Sequence, residues 1–396
     1  MARASLRLHI DGSQGEGGGQ LVRNAMSLAA ILRKEIQVDR IRAGRSKPGL
    51  RAQHMTALKL ASDICGKGNL QGAELGSTEF HYSPCPSHEQ NSDYERTLVG
   101  DTGTAGSICL LLQAALPCAL LGSASPSSLI LKGGTNADMA PQYDYWEHVF
   151  LPTFRERFRL SADLIQARVM KRGYFPRGGG EVHVRVMPLQ KPLSPIRMLD
   201  RGDLSQIYVR SFHAGNLPRH LAADIAEEAN VFLQKNLPHA GKIDWTTDIV
   251  TEKHAVGSGL GILIVAKTTT DCRLASSSLC SPKQKEKEMG REAAIELLKT
   301  LKAGGCVDDW LQDQLILYMA LADGTSEILT GSLTLHTQTA IMIAQQITGA
   351  SFHIERLSDH PSEESDAPGS SHLTLEGRIP GRHIIRCHGV GNRHVS

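Results

Sequence analysis

Residues 16–41 read EGGGQLVRNAMSLAAILRKEIQVDRI, and this stretch decides how the rest of the chain is read. A glycine-rich turn opens into a helical pattern. Leu21, Ala25, Leu28 and Leu32 recur three and four residues apart and form one apolar stripe. Gln20, Arg23, Asn24 and Ser27 take the opposite face, and a short β-rich run follows. The pattern returns twice. Residues 102–121 (TGTAGSICLLLQAALPCALL) precede SLILKGG, and residues 330–347 (TGSLTLHTQTAIMIAQQI) precede ASFHIERL. In the last copy Ala340, Ile343, Ala344 and Ile347 make the buried face. The copies differ too much for a solenoid. They imply an α+β fold assembled from a few related units, with helices packed on sheets.

Between the second and third copies, EVHVRVMPL and IYVRSFHAG alternate like half-buried strands. HLAADIAEEANVFLQKN is a helix by its periodicity, and GILIVAKTT is a buried strand. Residues 190–285 therefore read as a small inserted α/β domain, leaving 1–189 and 286–396 to the large one. The polar exit SSSLCSPKQKEKEMG suits a surface connection. Residues 358–372, acidic and rich in Ser and Pro, read as a mobile loop without a catalytic role.

Composition narrows the function. The chain has 396 residues, enough for two packed regions, with 41% hydrophobic and 21% charged residues. A net charge of +2 argues against a sequence-independent coat on nucleic acid, and 5% aromatics argue against many stacking rings. Any RNA site should be local and suited to a strand end. None of the eight cysteines forms a C-x-x-C pair, so no zinc ribbon is indicated and a reducing compartment is expected. The start, MARASLRLHI, lacks a secretory apolar stretch. The apolar run 108–121 is short for a membrane span and is interrupted by Gln113 and Pro117. These features predict a soluble protein of the nucleus, the cytoplasm or both.

Four segments carry candidate chemistry. In GEGGGQLVR (15–23), glycines at a helix start let backbone N–H groups approach a phosphate. Glu16 there could hold a divalent metal, and Arg23 could clamp a phosphate. The same letters also fit a glycine turn with a solvated Glu and Arg. IRAGRSKPGLRAQH (41–54) sets Arg42, Arg45, Lys47 and Arg51 in a rigid, turn-rich stretch, with Gln53 and His54 at its end. It reads as a phosphate-binding loop or as an exposed basic one. KRGYFPRGGGEV (171–182) fits a hairpin turn whose cations could line a groove. VDDWLQDQLI (307–316) offers Asp308, Asp309 and Asp313 near Trp310 and Gln314. Its carboxylates could bind metal or ribose, or simply favour a helix N-terminus. His336 opens the third-copy helix. A helix N-terminus disfavours imidazolium, and a neutral ring nitrogen is what a nucleophile attacking phosphorus must present.

Taken in order, these segments resemble the RNA 3′-terminal phosphate cyclase family. RGYFPRGGGEV is the most specific match, with Arg-Gly, two residues, Pro, one residue and three glycines. DGSQGEGGGQLVR, IRAGRSKPGLRAQH, LKGGTNADMAPQ, WLQDQLI and LHTQTAI are similar to family blocks in the same order. The resemblance implies three repeated α+β units, each like the C-terminal domain of a bacterial translation initiation factor, with a thioredoxin-like α/β domain inserted. It implies ATP-dependent closure of an RNA 3′-phosphate to a 2′,3′-cyclic phosphodiester, through adenylylated His336 and an RNA-ppA intermediate. ATP contacts would fall on Gln113, Pro141, Trp310, Asp313 and Gln314. Glu16 would hold Mg²⁺ or Mn²⁺, and Arg23, Arg42, Arg45, Gln53 and His54 would contact the phosphate and RNA end. The implied partners are ATP and RNA 3′-phosphate ends, with no obligate protein partner and no membrane. Trp310 departs from the family, where Tyr can occur, and Lys47 is a local variation without a role. The rivals are a cyclase-like ribosome-assembly protein lacking the nucleophilic His, an enolpyruvyl transferase of related units, and a non-catalytic RNA-end binder.

Overall fold

The computed structural model describes residues 7–85, 94–280, 286–357 and 377–391. The expected mobile loop at 358–372 lies outside them. The glycine-opened helix is α1 (Gly19–Ile31), preceded by β1 (Leu8–Asp11) and followed by β2 (Ile36–Asp39), α2 (Ala52–Ile64), β3 (Asn69–Gln71) and β4 (Phe80–Ser83). β1 and β2 are parallel, β4 is antiparallel to both β2 and β3, and the sheet order is β1-β2-β4-β3.

A second unit repeats this arrangement. It contains β5 (Arg96–Asp101), α3 (Ile108–Leu121), β6 (Ser127–Gly133), α4 (Tyr143–Tyr145), α5 (Leu151–Arg157), β7 (Ile165–Gly173) and β8 (Gly180–Val186). A π-helical turn, Trp146–Phe150, joins α4 to α5. β5 and β6 are parallel, and β8 pairs antiparallel with β6 and β7. α3 runs through Pro117 without ending. Its packing against α1 and α2 outweighs the one N–H that proline removes.

The third unit has the same order but is split. β9 (Arg197–Met198) pairs in parallel with β15 (Asp323–Thr330), which pairs antiparallel with β17 (Arg382–Val390), next to β16 (Ser351–Leu357). Its helices are α8 (Asp309–Leu321) and α9 (Leu335–Thr348). Between β9 and α8 lie β10 (Leu204–Ala214), α6 (Arg219–Asn236), β11 (Asp244–Glu252), β12 (Ala255–Val256), β13 (Gly259–Thr268), β14 (Arg273–Leu279) and α7 (Glu286–Lys302). Four of these strands form a separate sheet, β11-β10-β13-β14. The element pairing moves the edges of the expected insertion. Leu193, Ile196 and Met198 belong to the large core, whereas Met289, Ala293, Ala294 and Leu297 of α7 bury themselves with α6. The separate sheet and the α6–α7 pair thus lie between β9 and α8. An apolar stripe shows that a helix is buried but not which sheet it covers. Among the described residues no helix is long and apolar enough to cross a membrane.

The inserted unit is tied to the second unit by a buried ionic network. The Asp144 carboxylate accepts from Arg172 and Arg210 at 2.8 Å and from Asn136 at 2.9 Å. Glu252 pairs with the same two guanidiniums at 3.1 and 2.5 Å. Arg172 is therefore a structural residue and does not line a groove. Burial pushes the Asp144 pKa upward, but Arg172 and Arg210 outweigh it and hold the carboxyl below the usual range. A depressed folded-state pKa means stability that is present above the unfolded carboxylate pKa and lost as pH falls through the folded one. Removing Asp144 leaves two buried cations sharing the single carboxylate of Glu252, so Asp144→Ala should cost about 3–5 kcal/mol in urea unfolding at pH 7. A loss under 1 kcal/mol would show the network to be dispensable.

Candidate active site

The first turns of five helices supply the candidate residues. Gln20, Arg23 and Asn24 come from α1, Gln53 and His54 from α2, and Gln113 from α3. Asp313 and Gln314 come from α8, and His336 from α9. α1 packs on α2, α3 and α9, and α8 packs on α3 and α9. Orphan N–H groups at helix starts favour anions, so this gathering is an electropositive site even in a nearly neutral protein.

The whole of α1 from Gln20 to Ile31 is buried, its polar face included. That polar face turns onto a cleft between α1, α3, α8 and the π-helical turn. Gln20, Asn24, Gln113, Asp313 and Gln314 line it, with Trp146, Phe150 and Tyr318 as an apolar wall. Three buried polar atoms here have no hydrogen-bond partner among the described residues: Arg23 Nε, Asn24 Nδ2 and Asp313 Oδ1. Unpaired buried polar atoms cost about 1–3 kcal/mol each, and clustered around one cleft they call for a polar ligand. Burial pushes the Asp313 pKa up to about 7, with Arg23 opposing and Asp308 reinforcing.

His336 is linked to the cleft through the lining residue Gln20. With the Gln20 amide oxygen assigned toward the ring, His336 Nδ1–H donates to Gln20 Oε1 at 3.1 Å, and Gln20 Nε2 donates to Asp313 Oδ2. Nε2 then carries the lone pair. The ring is exposed outward, yet protein on its inner side desolvates it and lowers its pKa; Glu16 opposes this, while Arg23, Arg45 and Arg378 add to it. Burial is the leading cause of that downward shift.

Around this core the phosphate-network residues fall into two groups. Arg23 donates to Gln113 Oε1 at 2.9 Å and is 6% exposed. His54 Nδ1 accepts the Arg51 backbone N–H at 3.1 Å, which puts the ring proton on Nε2. A Cβ on Gly19 would meet that Nε2 at 2.3 Å, so the glycine is what lets α2 and α1 approach. Gln53 accepts the Ser107 N–H at 3.2 Å, tying α2 to the cap of α3. Arg45 pairs with Glu16 Oε2 at 2.8 Å. Arg42 instead braces its own loop through the Lys47 and Gly49 carbonyls at 2.8 and 2.9 Å. Pro141 is buried and Trp310 half-buried, and neither lines the cleft. Asp308 caps α8 through the Leu311 N–H at 2.8 Å, and Asp309 pairs with Arg378 at 2.6 Å.

Glu16 fits a divalent cation as one ligand among several. Its Oε1 accepts the Gln20 N–H at 3.1 Å and its Oε2 accepts from Arg45, leaving lone pairs on both oxygens. Among the described residues no group of three or more His, Cys, Asp or Glu surrounds it. A lone carboxylate suits Mg²⁺, which takes most of its shell from water and substrate phosphates.

Periodicity had placed Gln20 and Asn24 on the polar face of α1 without a role, and Trp146, Phe150 and Tyr318 were missed. The available signal was a polar helix face directly behind a glycine loop.

A family model described as RNA 3′-terminal phosphate cyclase matches residues 14–354. The chain belongs to the RNA 3′-terminal phosphate cyclase family of enzymes. It is 38% identical to an RNA 3′-terminal phosphate cyclase of Drosophila melanogaster, over 89% of this chain and 93% of the relative. It is 39% identical to one from Methanothermobacter thermautotrophicus, over 87% and 96%. It is 35% identical to one from Staphylothermus marinus, over 97% and 98%.

His54 gives a pH test of this site. Burial, helped by Arg23, Arg42 and Arg51, lowers its pKa to about 3. A histidine kept neutral in the fold lets the unfolded chain bind the extra proton first. Its contribution to stability is full above the unfolded pKa of about 6.5 and declines as pH falls toward 3. The His54 ring should show no NMR titration between pH 5 and 8. A midpoint near 6.5 would mean that the ring is solvated.

Proposed function

We propose that the protein uses ATP to convert an RNA 3′-terminal phosphate into a 2′,3′-cyclic phosphodiester, with His336 as nucleophile. The observation that carries this is the Asp313–Gln20–His336 chain, which orients the imidazole and links it to a cleft whose lining includes unpartnered polar atoms. His336 Nε2 attacks the α-phosphorus of ATP, and the bond to the bridging oxygen breaks, releasing pyrophosphate. The ring is then left with both nitrogens substituted or protonated, and Gln20 Oε1 continues to accept from Nδ1–H. An RNA 3′-phosphate oxygen displaces Nε2 from the adenylate, giving RNA-ppA. Finally the vicinal 2′-oxygen, losing its proton, attacks the terminal phosphorus and AMP departs. Proximity makes this closure intramolecular and fast.

Asp313 and Gln314 would bind the adenosine, with Trp146, Phe150 and Tyr318 providing apolar surface. Arg23, Arg45 and the helix starts would hold phosphates, Arg42 would support its loop, and Gln53 and His54 would face the RNA end. Pro141 and Trp310 would contribute only if the cleft closes around ATP. A Mg²⁺ or Mn²⁺ ion on Glu16 would neutralise charge on the departing pyrophosphate. Retention of His336 sets the chain apart from a non-cyclising relative. The recurring strand order supports the likeness of each unit to a translation-factor domain. The thioredoxin-like character of the inserted unit belongs to the same proposal.

Incubation with α-labelled ATP and Mg²⁺ should leave an acid-labile, alkali-stable label on the protein. His336→Ala should reduce it to background, and equal labelling of that variant would sink the mechanism. Glu16→Ala should label poorly at low metal and recover as metal is raised. Gln20→Leu removes the group that orients His336 and should slow labelling by roughly 10–100-fold, as loss of an orienting partner does for histidines elsewhere. An unaffected rate would show that Gln20 does not set the tautomer.

A further inference from the structure

The β7–β8 turn, residues 174–179, leaves Phe175 77% exposed. On the adjoining loop Met139 is 91% exposed and holds a left-handed backbone (φ 56°). Asn136 bridges to Tyr174, so the two loops run together. A large exposed ring on a tightly packed turn is uncommon, and a strained exposed residue next to it points to a ligand surface. The turn is rigidly seated. A Cβ on Gly178 would lie 2.3 Å from the Thr104 carbonyl oxygen. The loop from Thr104 leads to Ser107, whose N–H binds Gln53 beside His54. The exposed turn is therefore continuous with the candidate active site.

Two exposed cations lie on the turn and on the strand segment that pairs with β7. Arg177 is exposed on the turn itself. Lys253 is exposed just before β12, which pairs with β7, and the neighbouring His254 carbonyl accepts the Arg172 N–H at 2.7 Å. Neither Arg177 nor Lys253 forms an ion pair among the described residues. An exposed aromatic ring with cations on neighbouring segments is how proteins hold single-stranded nucleic acid without reading its sequence. An apolar protein partner would not need the cations.

We propose that the RNA strand upstream of the 3′ end crosses this turn, with a base stacked on Phe175 and flanking phosphates on Arg177 and Lys253. This rests on the cyclase reading, which supplies the RNA end at His336. The surface would then select for strands longer than the reacting terminus, and the inserted unit would contribute one of the phosphate contacts.

The test compares 3′-phosphorylated RNA of two and of ten nucleotides with the full-length protein. Wild type, Phe175→Leu, Phe175→Trp and the Arg177→Ala/Lys253→Ala double variant are first labelled with α-labelled ATP. Labelling should be equal in all four, because none touches the nucleotide cleft. Discharge of the label by the decamer should lose about tenfold in kcat/KM for Phe175→Leu and recover in Phe175→Trp. The dinucleotide should react alike with all. The double variant should weaken decamer binding and flatten its salt dependence. Unchanged decamer discharge in Phe175→Leu would overturn the proposal, as would an equal loss with the dinucleotide. Should wild type take no label, the cyclase reading fails instead. Direct binding of a fluorescent decamer to the same variants then decides the surface by itself.

Discussion

Helix α1 buries an arginine and two amides along with its apolar stripe, and this constraint organises the rest of the molecule. Arg23, Gln20 and Asn24 are 6%, 4% and 6% exposed. Burial of such groups is tolerable only with partners of matching geometry. α3 supplies Gln113 for Arg23, and α8 supplies Asp313 for Gln20. α9 supplies His336, so the nucleophile candidate is itself part of the solution to α1's burial. Among the atoms that remain unpaired, Asn24 Nδ2 and Asp313 Oδ1 belong to residues lining the cleft, where a ligand can satisfy them.

Three units with one strand order explain why so many helix starts meet. In each, a strand feeds a helix that returns to a parallel neighbour, which fixes the direction of the helix relative to its sheet. Packing the units through their helices brings α1, α3, α8 and α9 together. The resulting local field needs no large net charge. A protein of net charge +2 can still present a phosphate site, because the partial charges of the helix starts and a few arginines are concentrated in one place.

The inserted unit interrupts the third repeat at a place where the interruption does little harm. β9 is only two residues long, and its pairing with β15 survives the detour. The insertion is then anchored to the second unit by the Asp144 network and by β12 joining β7. Both anchors lie at the base of the β7–β8 turn. They hold that turn between the large domain and the insertion.

The sequence by itself determined the mixed α and β class and the family, and it marked several of the helix starts that pack together. Those features reside in local periodicity, glycine placement and residue order, which a chain carries before it folds. It also marked His336, because a position at a helix start is local information. Tertiary structure decided the rest. Whether Gln20 was a solvated amide or the partner of His336 depended on α9, more than three hundred residues away. Whether Arg172 lined a groove or closed a buried network depended on Asp144 and Glu252. The cleft wall of Trp146, Phe150 and Tyr318 reads in sequence as ordinary core, since burial and ligand contact call for the same apolar side chains. The limits of the insertion likewise depended on which sheet α7 covers. An amphipathic stripe records that a face is buried; the identity of what buries it exists only once the units have packed.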